Sequence, residues 1–499
     1  MVILLVLPVV FINHQHTVDW GGDYAMYITE AMNIAHHQPV DSTHYVYNSN
    51  APMLGPPLYP VGFPLLLAPV YLIFGNNILA MIVYMSLMLI LLTLVLQLFF
   101  RRYFSETVSI ILVLVILYNP WILHFKNEIL ADIPFALFFN LTLILYLYRS
   151  KAVFTGLAMG FSILIKTAGF ALPVAFILYL FYQLITGHED RKIITKRLLI
   201  PVIYSLLLVL FVNKILFHLP WGIGLYSENF SLFAFKQHVL KNTALYIELF
   251  QSFFHRNLYD WKFLVLITQP VLFTFALIGF LNSKKDLLFF VVSTYLLMLI
   301  VYPYHFSGFR FLLPVIPVLL YYSLNGFNSI RWRFSVQKKL LIPLLAVFLL
   351  GQYIPEIIRL ATNPVTTKQG PQEQTSQEVF EYIRNNLSED ETILFTKPRV
   401  LALYTGRKSV CNELNDDLEK MDLLLRDKRV GYILTNENLS NPALEKYLIS
   451  KKDHILLIWS NKKFKLYQVN DQRHKISTVF PRNIHNRIFA KTKSNDLIF

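Results

Sequence analysis

The sequence predicts an α-helical polytopic membrane protein with about eleven transmembrane helices, outer-face interfacial helices and a small C-terminal α/β domain. Three observations carry that prediction. Of 499 residues, 55% are hydrophobic and only 15% charged, against about 25% charged in an ordinary soluble domain. Apolar runs of roughly 17 to 25 residues, enough to cross about 30 Å of hydrocarbon as a helix, recur up to about residue 358. Beyond residue 359 the pattern changes to short alternating helices and strands, the signature of a small water-soluble sheet domain.

In chain order the expected spans lie near residues 2–13, 77–100, 107–123, 129–148, 152–166, 168–186, 198–218, 262–281, 287–303, 310–324 and 340–358. The loops between them sort by charge. One set holds Arg101 and Arg102, Arg149 and Lys151, Arg191 to Arg197, Lys284 and Lys285, and Arg331 to Lys339, and belongs inside by the positive-inside rule. The alternate set includes residues 14–58, which carry Asp19, Asp23, Glu30 and Asp41 but no Lys or Arg, and belongs outside. Leu58–Gly75 is apolar yet contains Pro60, Pro64 and Pro69. Counting it as a span would invert every later loop, so it is expected to be an interfacial or re-entrant segment of the outer face. Residues 1–358 therefore form the expected transmembrane domain, 359–470 an extracytoplasmic α/β domain and 471–499 a basic irregular tail. In the α/β domain the expected helices are QEVFEYIRNNL, DDLEKMDLLLRD and NPALEKYLISK. The expected strands are ETILFT, VGYILTN, HILLIWS and FKLYQV.

The net charge of +14 is accounted for largely by the inside loops, so no nucleic-acid partner is implied. Cys411 is the single cysteine; no intrachain disulfide, CxxC pair or Cys/His zinc cluster is available. No phosphate-binding GxxxxGK[ST], GxGxxG or GxSxG motif is present, so neither nucleotide use nor serine-hydrolase chemistry has motif support. No internal repeat or low-complexity block occurs.

The outer loop after the first span is the most informative stretch. Gly21 and Gly22 break any helix, Asp23 is placed to cap the next one, and Tyr24, Tyr27, Ile28, Ala31 and Ala35 share a helical face that can lie on the bilayer. A carboxylate held at membrane level can act as general base on a hydroxyl while a second substrate stays in lipid. A capping role alone would explain Asp23 as well. Other ionisable groups fall on the same side: Lys126, Glu128 and Asp132 between the third and fourth spans, Lys166 at the end of the fifth, and Tyr302, Tyr304, His305 and Arg310 in the YPYHFSGFRFLLP turn. Such groups are costly at span ends unless paired or used. Snorkelling to headgroups is the competing account for Lys126 and Lys166; Arg310 and Lys166 would suit a phosphate. No spacing points to a metal site.

At these residues the chain resembles the GT-C superfamily of integral membrane glycosyltransferases, the group containing protein O-mannosyltransferases, aminoarabinose lipid A transferases and RgtA/B/C/D-like proteins. The matching pieces, in the same order, are GGDYAMYITEAMNIA, PPLYPVGFPLLLAPVYLIFG, NEILADIPFALFF and FRFLLPVIP, spread over roughly residues 1–325. The resemblance implies a mannosyltransferase-like enzyme of the cell envelope, located in a cell membrane such as the bacterial inner membrane. It would move a hexosyl or pentosyl group from a polyprenyl-phosphate sugar to a lipid, glycan or protein acceptor hydroxyl, with inversion and without a cofactor. Asp23 corresponds to the first-loop acid regarded as catalytic. Many members have Asp-Glu there, whereas Asp23 is followed by Tyr24; Asp19 is the candidate substitute for the second acid. By analogy Arg310 and Lys166 hold the donor phosphate, while Tyr27, Tyr59, Glu128, Asp132, Tyr302 and His305 support substrate binding.

Three other classes share the polytopic pattern. A transporter or flippase predicts repeats, broken midplane helices and charges within spans, whereas this chain puts its charges at outer ends. A polysaccharide polymerase or ligase does not predict the first-loop Asp. A membrane interaction protein without activity would tolerate loss of Asp23 and Arg310.

Overall fold

The computed structural model describes residues 2–12, 14–51, 55–187, 190–219, 232–251, 262–302, 308–329, 350–363, 369–439 and 441–469. Helices α1 (Val2–Phe11), α2 (Gly22–Ala35), α3 (Gly62–Phe74) and α4 (Ile78–Arg101) open the chain. After them come α5 (Glu106–Leu117), α6 (Pro120–Phe125), α7 (Asp132–Leu147), α8 (Ala152–Ile165), α9 (Ala171–Thr186) and α10 (Arg191–Leu210). The helical part closes with α11 (Leu232–Gln251), α12 (Lys262–Asn282), α13 (Leu287–Val301), α14 (Ile316–Ser329) and α15, residues 350–362.

Among the described residues, three helical stretches are long and apolar enough to cross a membrane: Ile78–Arg101, Thr167–Thr186 and Arg191–Leu216. Six shorter apolar helices accompany them, among them α3, α5, α7, α8 and α13. Local chemistry sets their ends. Asn77 caps α4 by accepting from the Ala80 N–H at 3.1 Å, and Asp190 caps α10 by accepting from Lys192 and Ile193, satisfying donors that a helix start leaves unpaired.

Several expected spans change shape. The 107–123 segment is two helices, because α5 stops at Leu117 and Asn119 caps a new one at Pro120. Proline is at home in a first turn and not in a helix interior. The 198–218 segment starts seven residues earlier, at Arg191: the basic first turns lower its hydropathy but not its helicity. The 310–324 segment begins as a 3-10 turn, Phe309–Leu312, and becomes an α-helix only at Ile316, past Pro314. In 340–358 only residues from 350 onward are among those described.

α3 is 13 residues long, about 20 Å at 1.5 Å per residue, comparable with α5 and α8. It packs on α2 and α8. A Cβ on Gly62, at its start, would lie 2.5 Å from the Leu164 carbonyl carbon, so only glycine permits this approach. α2 departs from expectation. The face bearing Tyr24, Tyr27, Ile28 and Ala31 is buried inside the protein, under α3 and a helix of the C-terminal domain, and does not lie on lipid.

The C-terminal domain consists of α16 (Gln374–Asn386), β1 (Thr392–Leu394), α17 (Pro398–Thr405), β2 (Lys408–Val410), α18 (Leu418–Asp427), β3 (Val430–Asn436), α19 (Pro442–Ser450), β4 (Ile455–Ser460) and β5 (Phe464–Val469). The sheet order is β2-β1-β3-β5-β4, parallel among β2, β1 and β3 and antiparallel where β5 joins β3 and β4. All four expected strands and all three expected helices are present; α17 and β2 are additional.

The first loop is built into this domain. The Trp20 indole packs edge-on against Phe380 and Phe395, with ring centroids 6.3 and 5.9 Å away, and against Phe464 at 6.0 Å. Tyr45 bridges to Ser409 beside β2: Val46 N–H donates to the Ser409 carbonyl at 2.8 Å and Ser409 N–H to the His44 carbonyl at 2.9 Å. The sheet edge at β2, otherwise open to another chain, is thus covered.

Candidate active site

A cavity of about 560 Å³ lies where the start of α2, the start of α7, the α8–α9 junction and the 3-10 turn before α14 meet. Each contributes one charged side chain. Asp23 enters from the first turn of α2. It is not the helix cap: Gly21 occupies that position, and Asp19 instead turns the preceding chain by accepting from the Gly21 N–H at 2.8 Å. Asp132 is the first residue of α7 and is buried. Lys166 follows the last turn of α8 in extended conformation, which turns its side chain toward Asp132. Arg310 lies within the 3-10 turn.

These four side chains form a chain of ion pairs. Lys166 Nζ donates to Asp132 Oδ1 at 2.7 Å and stands 3.8 Å above the centre of the Phe311 ring. Arg310 Nη1 lies 3.9 Å from Asp132 Oδ2 and 3.4 Å from Asp23 Oδ2. The other Asp23 oxygen, Oδ1, accepts from the Tyr59 hydroxyl at 2.7 Å. Tyr27, one helical turn after Asp23, stacks on Tyr59 with centroids 4.6 Å apart. The Tyr59 backbone N–H donates to Glu30 Oε1 at 2.8 Å. Burial holds the Glu30 carboxyl well above the usual carboxylate range, favouring the neutral acid, so it adds no charge to the site.

A fifth charged group was not anticipated. Arg399, in the first turn of α17, is 3% exposed. It donates to the Pro56 carbonyl at 2.7 Å and the Tyr59 hydroxyl at 3.0 Å, and reaches Asp23 Oδ1 at 3.5 Å. Gly55, at φ +92°, makes room for it, since any Cβ there would strike the guanidinium. The C-terminal domain therefore supplies a side chain to the cluster. A local signal for its helix exists: Pro398 and Gly406 bracket α17 as a first-turn proline and a left-handed terminal glycine.

Burial by itself would raise the Asp23 carboxyl. The Arg310 and Arg399 guanidiniums, with the Tyr59 hydroxyl bond, outweigh it and hold Asp23 below the ordinary value.

The other sequence candidates divide. Tyr27, Tyr59, Asp132 and Tyr302 line the cavity with Asp23, Lys166 and Arg310. Asp19 and Glu128 do not; Glu128 lies 3.8 Å from His124. Lys126 does not snorkel. It is fully buried, with its ammonium donating to the Val10 carbonyl at 3.4 Å and Asn127 at 3.3 Å, where α1 packs over it. His305 lies outside the described residues. Among those described, no group of three His, Cys, Asp or Glu side chains is placed to share a metal ion. The remaining walls, Ile165, Phe170, Met298, Leu299 and Phe311, are apolar.

No protein-family model matches the sequence, and neither does any curated protein. Solved structures do match in fold. The oligosaccharyltransferase AglB of Archaeoglobus fulgidus, in complex with an inhibitory peptide and a dolichol-phosphate, is similar over 97% of this chain and 74% of its own, with a TM-score of 0.55 and 14% identity. ArnT of Cupriavidus metallidurans bound to undecaprenyl phosphate is similar over 96% of this chain and 98% of its own, with a TM-score of 0.54 and 15% identity. With this helical arrangement, this appended sheet domain and these neighbours, the chain has the fold of the GT-C membrane glycosyltransferases.

Proposed function

We propose that the protein is a membrane glycosyltransferase that moves a sugar from a polyprenyl-phosphate carrier to an acceptor hydroxyl at the outer face of the membrane, with Asp23 as general base and inversion at the anomeric carbon. One observation carries this reading: a mostly apolar cavity lined by the charged side chains Asp23, Asp132, Lys166 and Arg310, with Arg399 of the C-terminal domain backing Asp23 to complete the charged cluster. Three cations and two carboxylates leave one unit of positive charge, the complement of a phosphodiester monoanion. The apolar walls suit the start of an isoprenoid chain. AglB and ArnT, whose fold this chain shares, are solved with dolichol-phosphate and undecaprenyl phosphate.

The distances support different roles for the three cations. Arg399 is fixed by short bonds to Pro56 and Tyr59 and stays with Asp23. Lys166 is anchored to Asp132 with two N–H donors left for a ligand. Arg310 makes only long contacts to both carboxylates and is the group free to turn to a phosphate, which it can grip with two parallel bonds. Once it does, Asp23 loses a countercharge and becomes more basic as the donor arrives. The acceptor hydroxyl gives its proton to Asp23 while its oxygen attacks the anomeric carbon. The C–O bond to phosphate breaks, and the leaving phosphate takes its electron pair into the field of Arg310 and Lys166.

Purified protein incubated with a panel of labelled polyprenyl-phosphate sugars and lipid, glycan and peptide acceptors tests the reading. Transfer with inverted anomeric configuration is expected; no transfer from any donor, in a folded sample, rules it out. The outer placement is tested separately with a cysteine introduced at His37, which should react with an impermeant reagent from outside. Cys411 will not interfere, being buried with its thiol pushed up to about 12.

A further inference from the structure

A second polar cavity, of about 520 Å³, opens at the other ends of α7 and α8. Asp132 begins α7 in the first cavity and Tyr146 lines the second; fourteen residues of helix separate them, about 21 Å at 1.5 Å per residue. α8 runs back along the same path, from Thr155 in the second cavity to Lys166 in the first. The two openings therefore face opposite ways along one helix pair, and the Arg191 end of α10 completes the second.

This cavity is basic and its cations are unspent. It is lined by Arg149, Lys196 and Arg197 together with the hydroxyl residues Ser150 and Thr155. Asp190, its one acid, uses its carboxylate to cap α10. Among the described residues none of the three cations pairs with a carboxylate. Arg197 is held in place: its guanidinium lies 4.3 Å over the Tyr146 ring and Nη2 contacts the Tyr146 carbonyl at 3.5 Å, while its Nε is buried with no acceptor. The free terminal N–H groups of this guanidinium are the donors that a bound oxyanion would take up. Arg149 occupies a left-handed position, φ 54°, just past the end of α7, where glycine is the usual residue, so its side chain is kept at a backbone cost. Ile193 and Ile200 form the apolar margin, and the outward side of α10 continues it with exposed Leu199 and Ile203.

We propose that this cavity binds the phosphate headgroup of an anionic membrane phospholipid, with its acyl chains along α10. The proposal rests on the membrane location of the chain but not on its transferase activity. Cationic pockets at the inner ends of transmembrane helices are suited to such headgroups, and an apolar margin beside them would serve no purpose for a free phosphate ion.

The test is native mass spectrometry of the full chain in detergent, titrated with phosphatidylglycerol or phosphatidylcholine, for wild type and the double variant Arg149→Gln/Lys196→Gln, whose side chains are exposed and do not support the fold. One phosphatidylglycerol per chain should persist where phosphatidylcholine is lost, and the double variant should lower its occupancy about tenfold. Arg197→Lys should lower occupancy below that of wild type, because an ammonium cannot offer the planar pair of parallel N–H donors of a guanidinium. Equal retention of both lipids, or an unchanged double variant, overturns the proposal. So does thermal stabilisation by inorganic phosphate alone equal to that by phosphatidylglycerol, which would assign the site to a soluble anion. Asp23→Asn should leave lipid occupancy unchanged, so failure here and failure of the transferase reading remain distinguishable.

Discussion

Asp23 is bracketed by two guanidiniums that differ in how firmly they are held, and that difference sets its behaviour. Asp23→Asn keeps the size of the side chain and its bond to Tyr59 but removes the proton acceptor. Transfer should fall about 10²- to 10⁴-fold, the usual worth of a general base, and thermal stability should drop as well, because the buried Arg399 loses its countercharge. Arg399→Gln leaves Asp23 in place but strips a buried positive charge. The rate should drop about 10- to 100-fold, or about 1.4–2.7 kcal/mol, and the acid limb of the pH–rate profile should move upward. The sign follows from the depressed Asp23 carboxyl. Its ionised form, and the stability its ion pairs contribute, are present above the unfolded carboxylate value and are lost as pH falls through the lower folded value. Removing Arg399 raises that folded value, so loss begins at higher pH. An unmoved acid limb in the Arg399 variant would contradict the assignment of Asp23. Residue types at this scale were readable in part. Asp23, Lys166 and Arg310 stood out because charge at the end of an apolar run is expensive, whereas Arg399 lies in an ordinary soluble segment, 376 residues from Asp23, and nothing local ties it to the site.

Among the elements, α3 is the one whose position depends most on a single residue. Gly62 lets it touch the α8 backbone next to Lys166, and Tyr59 lies just before its start. Gly62→Ala forces the two helices apart and should cost about 1–3 kcal/mol, lowering both thermal stability in detergent and the rate. Gly187→Ala is the control. Gly187 ends α9 at φ +71° with open space around it, so alanine there should cost about 1 kcal/mol and leave the rate alone. Hydropathy found most of the apolar elements because it is a local property, and loop charge demoted the proline-rich segment that holds α3, Leu58–Gly75, from a span. It misjudged ends where a cap or a proline decides. Arg191 starts α10 inside a basic stretch, and Pro120 divides a run that reads as continuous. The three-residue strand β2 and the eight-residue α17 escaped notice because each is shorter than the window in which a period shows.

For the molecule as a whole, the first loop and the C-terminal domain behave as one body. Trp20 is part of that domain's aromatic core and residues 44–46 extend its sheet. Trp20→Ala should weaken this attachment by roughly 2–3 kcal/mol, seen as a separate low-temperature unfolding transition or faster proteolysis near residue 369. Truncation after residue 358 should leave a chain that still inserts into membranes but transfers sugar at least about 10- to 100-fold more slowly, since Arg399 is gone and Trp20 loses its core; full activity in the truncated chain would remove the C-terminal domain from the mechanism. Composition alone pointed to a scaffold with an appended domain. That the two halves share an aromatic core was not visible, because Trp20 reads equally well as an interfacial anchor.

Arg399 also sets a schedule. Tyr59 and Arg399 are 340 residues apart, and at 5–20 residues per second a ribosome needs roughly 20–70 s to make the second after the first. Throughout that interval the nascent chain holds Asp23 with no C-terminal partner, and the Trp20 side chain waits for a core that has not been synthesised. On the proposed reading, Asp23 gains its full set of partners only once the C-terminal domain has reached the same side as the first loop, so a half-made or wrongly oriented chain would transfer sugar slowly.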